Sequence, residues 1–545
     1  MQRSKLAKRA RLLFFLAAIA FYFYGLGRLP LLGPDEPRYA EVAREMYLRG
    51  DAITPTLGGH TWFEKPPLLY WMMMASFRAS GISEASARFG PALCGLLTVL
   101  LVYWMTRRVE RASDEAETGG LALWTSALTA SSAGLIVFSR GATFDIILTL
   151  TLTASLASLF VYELEREGRR RRFLLAGFYA CIGAALLAKG LVGLILPAGI
   201  VGCYFILRRS WPGRGLMKSM LWGLPLAILS AASWYGPVMA RHGWTFVDEF
   251  FIQHHFARYI SDKYHHPQRF YFYLPVMALM ALPWTPFLAV ALARVRRWQW
   301  RVTNASERLR LFSLAWLVAP VLFFSLSGSK LPGYVLPALP GATLLAGELL
   351  ARFVRTGEGL KTMRATGALL LLCALALPVY AWRSGYATIA CALFVAAPLL
   401  LASVFAIFWT SSRERTAASI VFAVFVSTAL ALGCLIERGA QRKSMRDLFQ
   451  LASARGYAAA PVFNLHTIER TSEFYAGGRV VYDAQGEPLK FEGPAQVENA
   501  AREEDRPILV IVPARYAYQL TDDPVLETET IGQNGSVALI AVKRK

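Results

Sequence analysis

The sequence predicts a mainly α, polytopic membrane protein of about thirteen transmembrane helices, followed by a small C-terminal α/β domain. Three observations carry that prediction. Of 545 residues 55% are apolar, and the mean hydropathy of +0.39 lies far above that of an ordinary soluble chain. Apolar runs of about 17 to 25 residues, long enough to cross hydrocarbon, recur as far as residue 436. From Glu437 the composition changes to short β-branched runs separated by polar turns.

The expected spans are 11–29, 88–106, 119–138, 142–162, 172–188, 190–207, 217–239, 271–292, 309–327, 332–350, 366–383, 387–409 and 417–436. The first follows a basic tail (Arg3, Lys5, Lys8, Arg9, Arg11), and no small-residue cleavage site follows it, so it reads as an uncleaved span. Only Lys189-Gly190 separates the fifth span from the sixth. With the N-terminus inside, the loops Arg107–Glu117, Glu163–Arg172, Arg208–Lys218, Arg294–Arg310, Arg352–Arg364 and Ser411–Thr416 share its side, and each carries Lys or Arg. That is the positive-inside bias. The opposite side holds two large loops, 30–87 and 240–270, all seven histidines and, after an odd number of spans, the C-terminal segment. The expected division is a membrane domain over 1–436 and an extracytoplasmic domain over 437–545.

A formal charge of +21 would suggest nucleic acid in a soluble chain, but about half of the Lys and Arg fall in these short loops, so no nucleic-acid partner is expected. The six cysteines lie in or beside apolar runs without a CxxC pair, which predicts neither a disulfide framework nor a thiolate metal site. In the C-terminal segment, Met445–Ala454 reads as a helix, and Pro461–Leu465, Val480–Tyr482, Ile508–Val512 and Val537–Val542 as strands. No nucleotide fingerprint or solenoid repeat is present.

Four stretches hold charge where charge is costly. In the first outer loop Pro37 suits a first helical turn, which places Asp35 and Glu36 at a helix N-terminus that favours carboxylates. The residues that follow suit an amphipathic surface helix with candidate pairs Glu41–Arg44 and Glu45–Arg49. Further on, Glu64 and Lys65 precede two prolines and an apolar run; Lys65 reads either as a snorkelling anchor or as a charge for a lipid phosphate. Asp145, near the outer end of the fourth span, costs several kcal/mol unless paired or wet, and Arg140 is a candidate partner. The second outer loop gathers His254, His255, Arg258, Lys263, His265, His266 and Arg269 among aromatics. Its cations suit an anion, since Arg fits phosphate as a fork. Its histidine pairs suit a metal only with a ligand from elsewhere, for which Glu64 is a candidate. Finally, Lys330, Pro332, Gly333 and Tyr334 interrupt two apolar runs, and broken backbone at membrane depth is tolerated where it lines a cavity.

Taken in order, DEPRYAEVAREM, GDAITPTLGGHTWFEKPPLLYW, Asp145 in ATFDIILT, LAKGLVGLILP, WYGPVMARHGWTFVDEFFIQHHFARY, PWTPF and FFSLSGSKLPGYVLPALP resemble the motifs of bacterial 4-amino-4-deoxy-L-arabinose lipid A transferases. These belong with the protein O-mannosyltransferase-like enzymes that use polyprenyl-phosphate sugars. The resemblance covers about residues 30–340 and implies a GT-C type bundle. It also implies a catalytic carboxylate at Asp35 and a second functional acid at Asp145. Lys65, Arg258 and Tyr334 match positions expected around the lipid-linked phosphate, with Glu36 and Lys330 as further substrate-binding candidates. Glu64 and His255 match a pair associated with a divalent metal, zinc being the candidate. Leu191 and Gly333 depart from the family pattern, where Pro and Thr are common, and the C-terminal domain shows no matching motif.

The expected reaction moves a sugar from a polyprenyl phosphate, undecaprenyl phosphate in bacteria, to an acceptor at the outer (periplasmic) face of the inner membrane. The acceptor implied is lipid A. A protein, as in O-mannosylation, or another glycolipid is the alternative acceptor, and a transporter or flippase of lipid-linked substrates is the rival class. The rival predicts charge near the midplane and repeated halves; this chain keeps its charge in outer loops. Asp35 would serve a hydroxyl acceptor as general base, whereas for a phosphate acceptor it would position the acceptor or pair with a sugar amino group.

Overall fold

The computed structural model describes residues 2–113, 118–165, 168–257, 268–298, 300, 304–409 and 411–545, without the side chains of 2–8 and 255–257. The first helix, α1 (Gln2–Phe23), leads to the first outer loop, which folds into α2 (Asp35–Arg49), a ribbon of β1 (Thr56–Leu57) and β2 (His60–Thr61), and α3 (Leu68–Ser80). The bundle continues with α4 (Glu84–Ala112), α5 (Leu121–Ala130), α6 (Ala133–Ser139), α7 (Phe144–Leu164), α8 (Arg169–Lys189), α9 (Val192–Leu207) and α10 (Arg214–Val247). A π-helical stretch, Asp248–Ala257, then leads into α11 (Tyr273–Met280), α12 (Thr285–Arg294) and α13 (Ala305–Ser325). After a 3₁₀ stretch, Pro332–Ala338, come α14 (Leu339–Thr356), α15 (Leu360–Ser384), α16 (Ile389–Phe408) and α17 (Arg413–Cys434).

Among the described residues nine helices are long and apolar enough to cross a membrane, and the pair α5–α6, bent by 57°, is either a tenth, broken span or a re-entrant loop. The chain is a multi-pass membrane protein, and the expected count of thirteen is not reproduced by that measure. The shortfall has local causes. Any eighteen-residue window of α1 contains at least three basic residues, α9 has 16 residues, and the expected span 271–292 is split into α11 and α12 around Pro283. By contrast α10, whose 34 residues are broken by a kink at Gly243, runs about 43 Å before that kink, far more than a bilayer core needs. Its excess supports the first outer loop: Arg241 pairs with Asp51 at 3.0 Å, His242 meets Thr54 Oγ1 at 2.9 Å, and Trp234 Nε1 donates to the Ile53 carbonyl.

The cysteine expectation is corrected. Cys391 and Cys434 form a disulfide that joins the start of α16 to the end of α17. A helical hairpin returns its chain ends to the same side, so residues 43 apart in sequence become neighbours.

Beyond α17 lie α18 (Glu437–Gln441), α19 (Arg446–Ala454), β3 (Val462–Leu465), α20 (Ser472–Tyr475), β4 (Lys490–Phe491) and α21 (Pro494–Glu503). They are followed by β5 (Ile508–Pro513), α22 (Tyr518–Thr521), β6 (Leu526–Gln533) and β7 (Val537–Arg544). The five strands form one sheet in the order β4-β3-β5-β7-β6, with β3 parallel to β4 and β5, and β7 antiparallel to β5 and β6. Alternate residues of β5 and β7 feed two cores, Leu509, Ile511 and Leu539 packing with Leu448 and Phe449 of α19, and Val510, Val512 and Ile540 packing with Val497 and Ala500 of α21. Three expected strands are present, whereas 480–482 supplies only isolated bridges. The unforeseen β6, LETETIGQ, is an edge strand whose solvent face is charged, so hydropathy does not reveal it.

This domain sits on the first outer loop. Tyr475 Oη accepts from the Leu31 amide (2.7 Å) and donates to Glu84 (3.1 Å), and Arg38 of α2 faces Glu473 at 3.7 Å. The Tyr482 ring lies so close to Gly58 that a Cβ there would come within 2.2 Å of it.

Candidate active site

The local sequence explains how the first wall of the site is made. Asp35 opens α2, and Gly50, in left-handed conformation at φ 65°, closes it. Successive helical residues diverge by about 100°, so the adjacent acids part company. Asp35 faces a cavity of about 140 Å³. Glu36 turns inward and is buried, where its carboxylate accepts from Arg88 Nε (2.6 Å) and Nη2 (2.8 Å), the Leu32 amide (2.9 Å) and the Ala142 amide (3.0 Å). Arg88 also donates to the carbonyls of Leu26, Leu29 and Pro30. This pair clamps the entry to α2 and, through Ala142, the segment that precedes Asp145. Glu36 thus differs from the substrate-binding role expected of it: its hydrogen-bonding capacity goes to the scaffold.

The second wall is α7. Asp145 is its second residue, at a helix N-terminus where the dipole favours an anion. Its partner is Lys189, which donates to Asp145 Oδ1. Lys189 is the last residue of α8, where the dipole favours a cation, and Gly190 ends that helix at φ 66°. The expected partner, Arg140, instead caps the carbonyls of Phe21 (2.5 Å) and Tyr24 (2.7 Å) at the end of α1 and stacks over Phe21. Lys189 is the cavity residue that the sequence reading did not single out, although it stands in the LAKGLVGLILP motif and in the break between two spans. Its signal was present: a lone lysine at the end of an apolar run needs a partner.

Tyr334, in the 3₁₀ stretch, forms the third wall with its ring centroid 4.5 Å from Lys189 Nζ. Gly333 beside it touches Asp145 so closely that a Cβ would lie 2.3 Å from Oδ2. The departure from the family's Thr thus has a structural counterpart. Leu191 has φ −54°, which a proline also adopts, so that departure leaves the backbone unchanged. Lys330 does not line the cavity; it is buried and donates to the Ser327 carbonyl at 2.5 Å.

Glu64 and Lys65, in contact at 2.6 Å, complete the rim. His254 lines the cavity as well, with Tyr39 and Phe144 as an aromatic floor in edge contact at 4.9 Å. Five expected residues, Asp35, Glu64, Lys65, Asp145 and Tyr334, are therefore gathered around one space. The side chain of His255, and Arg258, Lys263, His265 and His266 entirely, lie outside the described residues. Of the three cavity carboxylates, Glu64 and Asp145 each touch a lysine, whereas Asp35 makes no ion pair among the described residues. The space can therefore receive a substrate carrying both a negative phosphate, facing Lys65 and Lys189, and a positive group, facing Asp35.

Of the pair expected to hold a metal, Glu64 lines the cavity and the side chain of His255 lies outside the described residues. Among the described residues no group of three or more His, Cys, Asp or Glu stands close enough to hold an ion, and Glu64 is engaged by Lys65.

The model of the dolichyl-phosphate-mannose-protein mannosyltransferase family matches residues 9–299. The undecaprenyl phosphate-alpha-4-amino-4-deoxy-L-arabinose arabinosyl transferase of Edwardsiella ictaluri is 33% identical over 370 residues, 66% of this chain and 62% of that one. Its counterpart from Aeromonas hydrophila is 33% identical over 395 residues, 70% of this chain and 67% of that one. The chain thus spans about three fifths of the first of these relatives. Among solved structures, ArnT from Cupriavidus metallidurans bound to undecaprenyl phosphate superposes with a TM-score of 0.81, at 22% identity, over 97% of both chains. The same protein in its apo state gives 0.80 at 23% identity over 98% of both.

Proposed function

Because the chain belongs to the dolichyl-phosphate-mannose-protein mannosyltransferase family, we propose that it is a glycosyltransferase that moves aminoarabinose from undecaprenyl phosphate to lipid A at the periplasmic face of the bacterial inner membrane. The observation that carries this reading is the grouping of Lys65, Lys189 and Tyr334 with Asp35 and Asp145 around one cavity. The names of the curated relatives supply the donor and sugar. The outer-facing orientation rests on the basic inner loops, and on the Cys391–Cys434 disulfide, which belongs in an oxidising compartment.

In this reading the bond between the anomeric carbon and the donor phosphate oxygen breaks. The polyprenyl phosphate leaves with one more negative charge than it carried as a diester. Lys65 and Lys189 face that charge, each stabilising it by an amount on the order of a few kcal/mol in a water-poor site. A lipid A phosphate oxygen forms the new bond; it is already anionic, so no proton need be removed. Asp35, the cavity acid without an ion pair among the described residues, pairs with the ammonium of the sugar and fixes its ring. A hydroxyl acceptor, as in protein O-mannosylation, would instead use Asp35 as general base.

Purified protein incubated with the undecaprenyl-phosphate sugar and lipid A tests the proposal. Lipid A is expected to gain the mass of one aminopentose. No transfer to lipid A, with transfer to a protein fraction, would replace the acceptor, and no release of sugar with any acceptor would end the enzyme reading in favour of transport.

A further inference from the structure

We infer that the outer end of the bundle carries a docking surface for the phosphorylated headgroup of the glycolipid acceptor, apart from the catalytic cavity, formed by Arg28, Arg383, Arg438, Arg442 and Lys443. The inference rests on the acceptor and orientation proposed above. All five side chains are exposed, and none of them makes an ion pair among the described residues.

They come from three segments that the fold brings together. Arg28, after α1, donates to Tyr24 Oη at 2.9 Å and packs against Gly433 at the end of α17, beside the Cys391–Cys434 bond. Arg446 reaches the Arg28 carbonyl at 3.5 Å from the start of α19. Arg442 stacks over Tyr386, three residues beyond Arg383, at 5.5 Å, and Gly439 abuts the same ring. Glu437 is the one acid in these stretches of sequence.

Such a cluster runs against the orientation rule. Lys and Arg beside a span oppose its translocation, so outer ends of spans are depleted of them. A group of five retained there needs a counter-ion with a reason to be present. Exposed Trp382, Tyr380 and Tyr24 flank the group, as aromatics do at the level of lipid headgroups. Guanidinium groups bind phosphate as a planar fork. A phospholipid offers one phosphate, whereas a phosphorylated disaccharide headgroup offers several on a rigid frame, which suits cations spread over three segments. The surface is also continuous with the active loop. Arg28 precedes Asp35 by seven residues, at most roughly 25 Å of chain, and Arg88 holds the carbonyls of Leu29 and Pro30 between them.

The test uses the full-length protein in zwitterionic nanodiscs and the triple variant Arg438→Gln, Arg442→Gln, Lys443→Gln. Two readouts are taken: binding of lipid A by native mass spectrometry, and transfer kinetics. Expected are loss of lipid A adducts and a KM for lipid A raised about tenfold, with kcat unchanged and with rescue by the all-lysine version. The KM shift should shrink for a lipid A that carries a single phosphate. Unchanged KM and binding in an active variant would overturn the docking surface and leave the transferase reading intact. Loss of lipid A binding in the variant, with no transfer even by wild type, would support the surface and refute the transferase. Equal loss of phosphatidylglycerol adducts would show a general anionic-lipid contact and overturn the inference.

Discussion

Replacing Lys189 by methionine removes the charge that meets Asp145 while keeping much of the side-chain volume. Opposite charges about 4 Å apart attract by roughly 4 kcal/mol at an effective dielectric constant of about 20. Breaking a buried pair by deleting one partner costs about 3–5 kcal/mol. The two side chains are 14% and 16% exposed, so the lower end applies. About 3 kcal/mol expressed in the transition state corresponds to a rate loss on the order of a hundredfold. Sugar release from the undecaprenyl-phosphate donor, followed as kcat and kcat/KM, measures it. Because Lys189 pairs with Asp145 and in the proposed reaction also faces the donor phosphate, the double variant Lys189→Met, Asp145→Asn should fall well short of the product of the two single losses, with a coupling of about 1–3 kcal/mol. Wild-type turnover in Lys189→Met, or strictly multiplicative losses in the double variant, would refute the placement of Lys189 in the reaction.

Asp35→Asn should abolish transfer while the protein still folds and retains the donor, and wild-type turnover would remove Asp35 from the mechanism. Gly333→Ala puts a methyl carbon 2.3 Å from Asp145 Oδ2 and 2.8 Å from the Phe138 ring, so turnover should fall at least tenfold and the melting temperature should drop with the overpacking; normal kinetics would show that Asp145 is free to move. On α2, burial pushes the Glu41 carboxyl from 4.5 up to about 7, against the opposing pull of its bidentate Arg44 partner. Below about pH 4.5 both folded and unfolded chains hold that proton; between there and 7 the folded state alone holds it, so stability is lost as pH rises, in all by about 3 kcal/mol. Glu41→Gln should flatten that fall, so its melting temperature relative to wild type should rise from about pH 5 to about pH 8; parallel curves would discard the assignment. For the zinc expected at Glu64 and His255, elemental analysis of wild type, Glu64→Ala and His255→Ala decides, and equal metal content in all three removes the site.

How much was legible differs residue by residue. Asp145 stood out because an acid at membrane depth is costly, and Glu64-Lys65 because prolines and an apolar run fix where it sits. Its partner did not stand out: Arg140 is near in sequence and Lys189 is 44 residues away, and only the crossing of α7 with α8 brings Lys189 into contact. The pair Glu41–Arg44 follows from helical spacing and forms at 2.6 Å. The companion pair Glu45–Arg49 does not form, because Glu45 accepts from Thr56 Oγ1 and the Gly58 amide and Arg49 donates to the Thr54 carbonyl. Spacing states what a helix permits, and the packed ribbon offered both side chains better partners.

By itself the sequence determined the membrane class, the charged loop 30–87, the C-terminal α/β character and five of the residues around the cavity. These follow from local physics: hydropathy over span length, dipole preference at helix ends, and the cost of charge near lipid. Tertiary structure alone decided which of two adjacent acids faces the cavity, sending Asp35 to it and Glu36 to Arg88. It also supplied Lys189, joined Cys391 to Cys434, and took Lys330 out of the site. Each of these depends on which helix faces which, a long-range arrangement that the pattern of apolar residues leaves open.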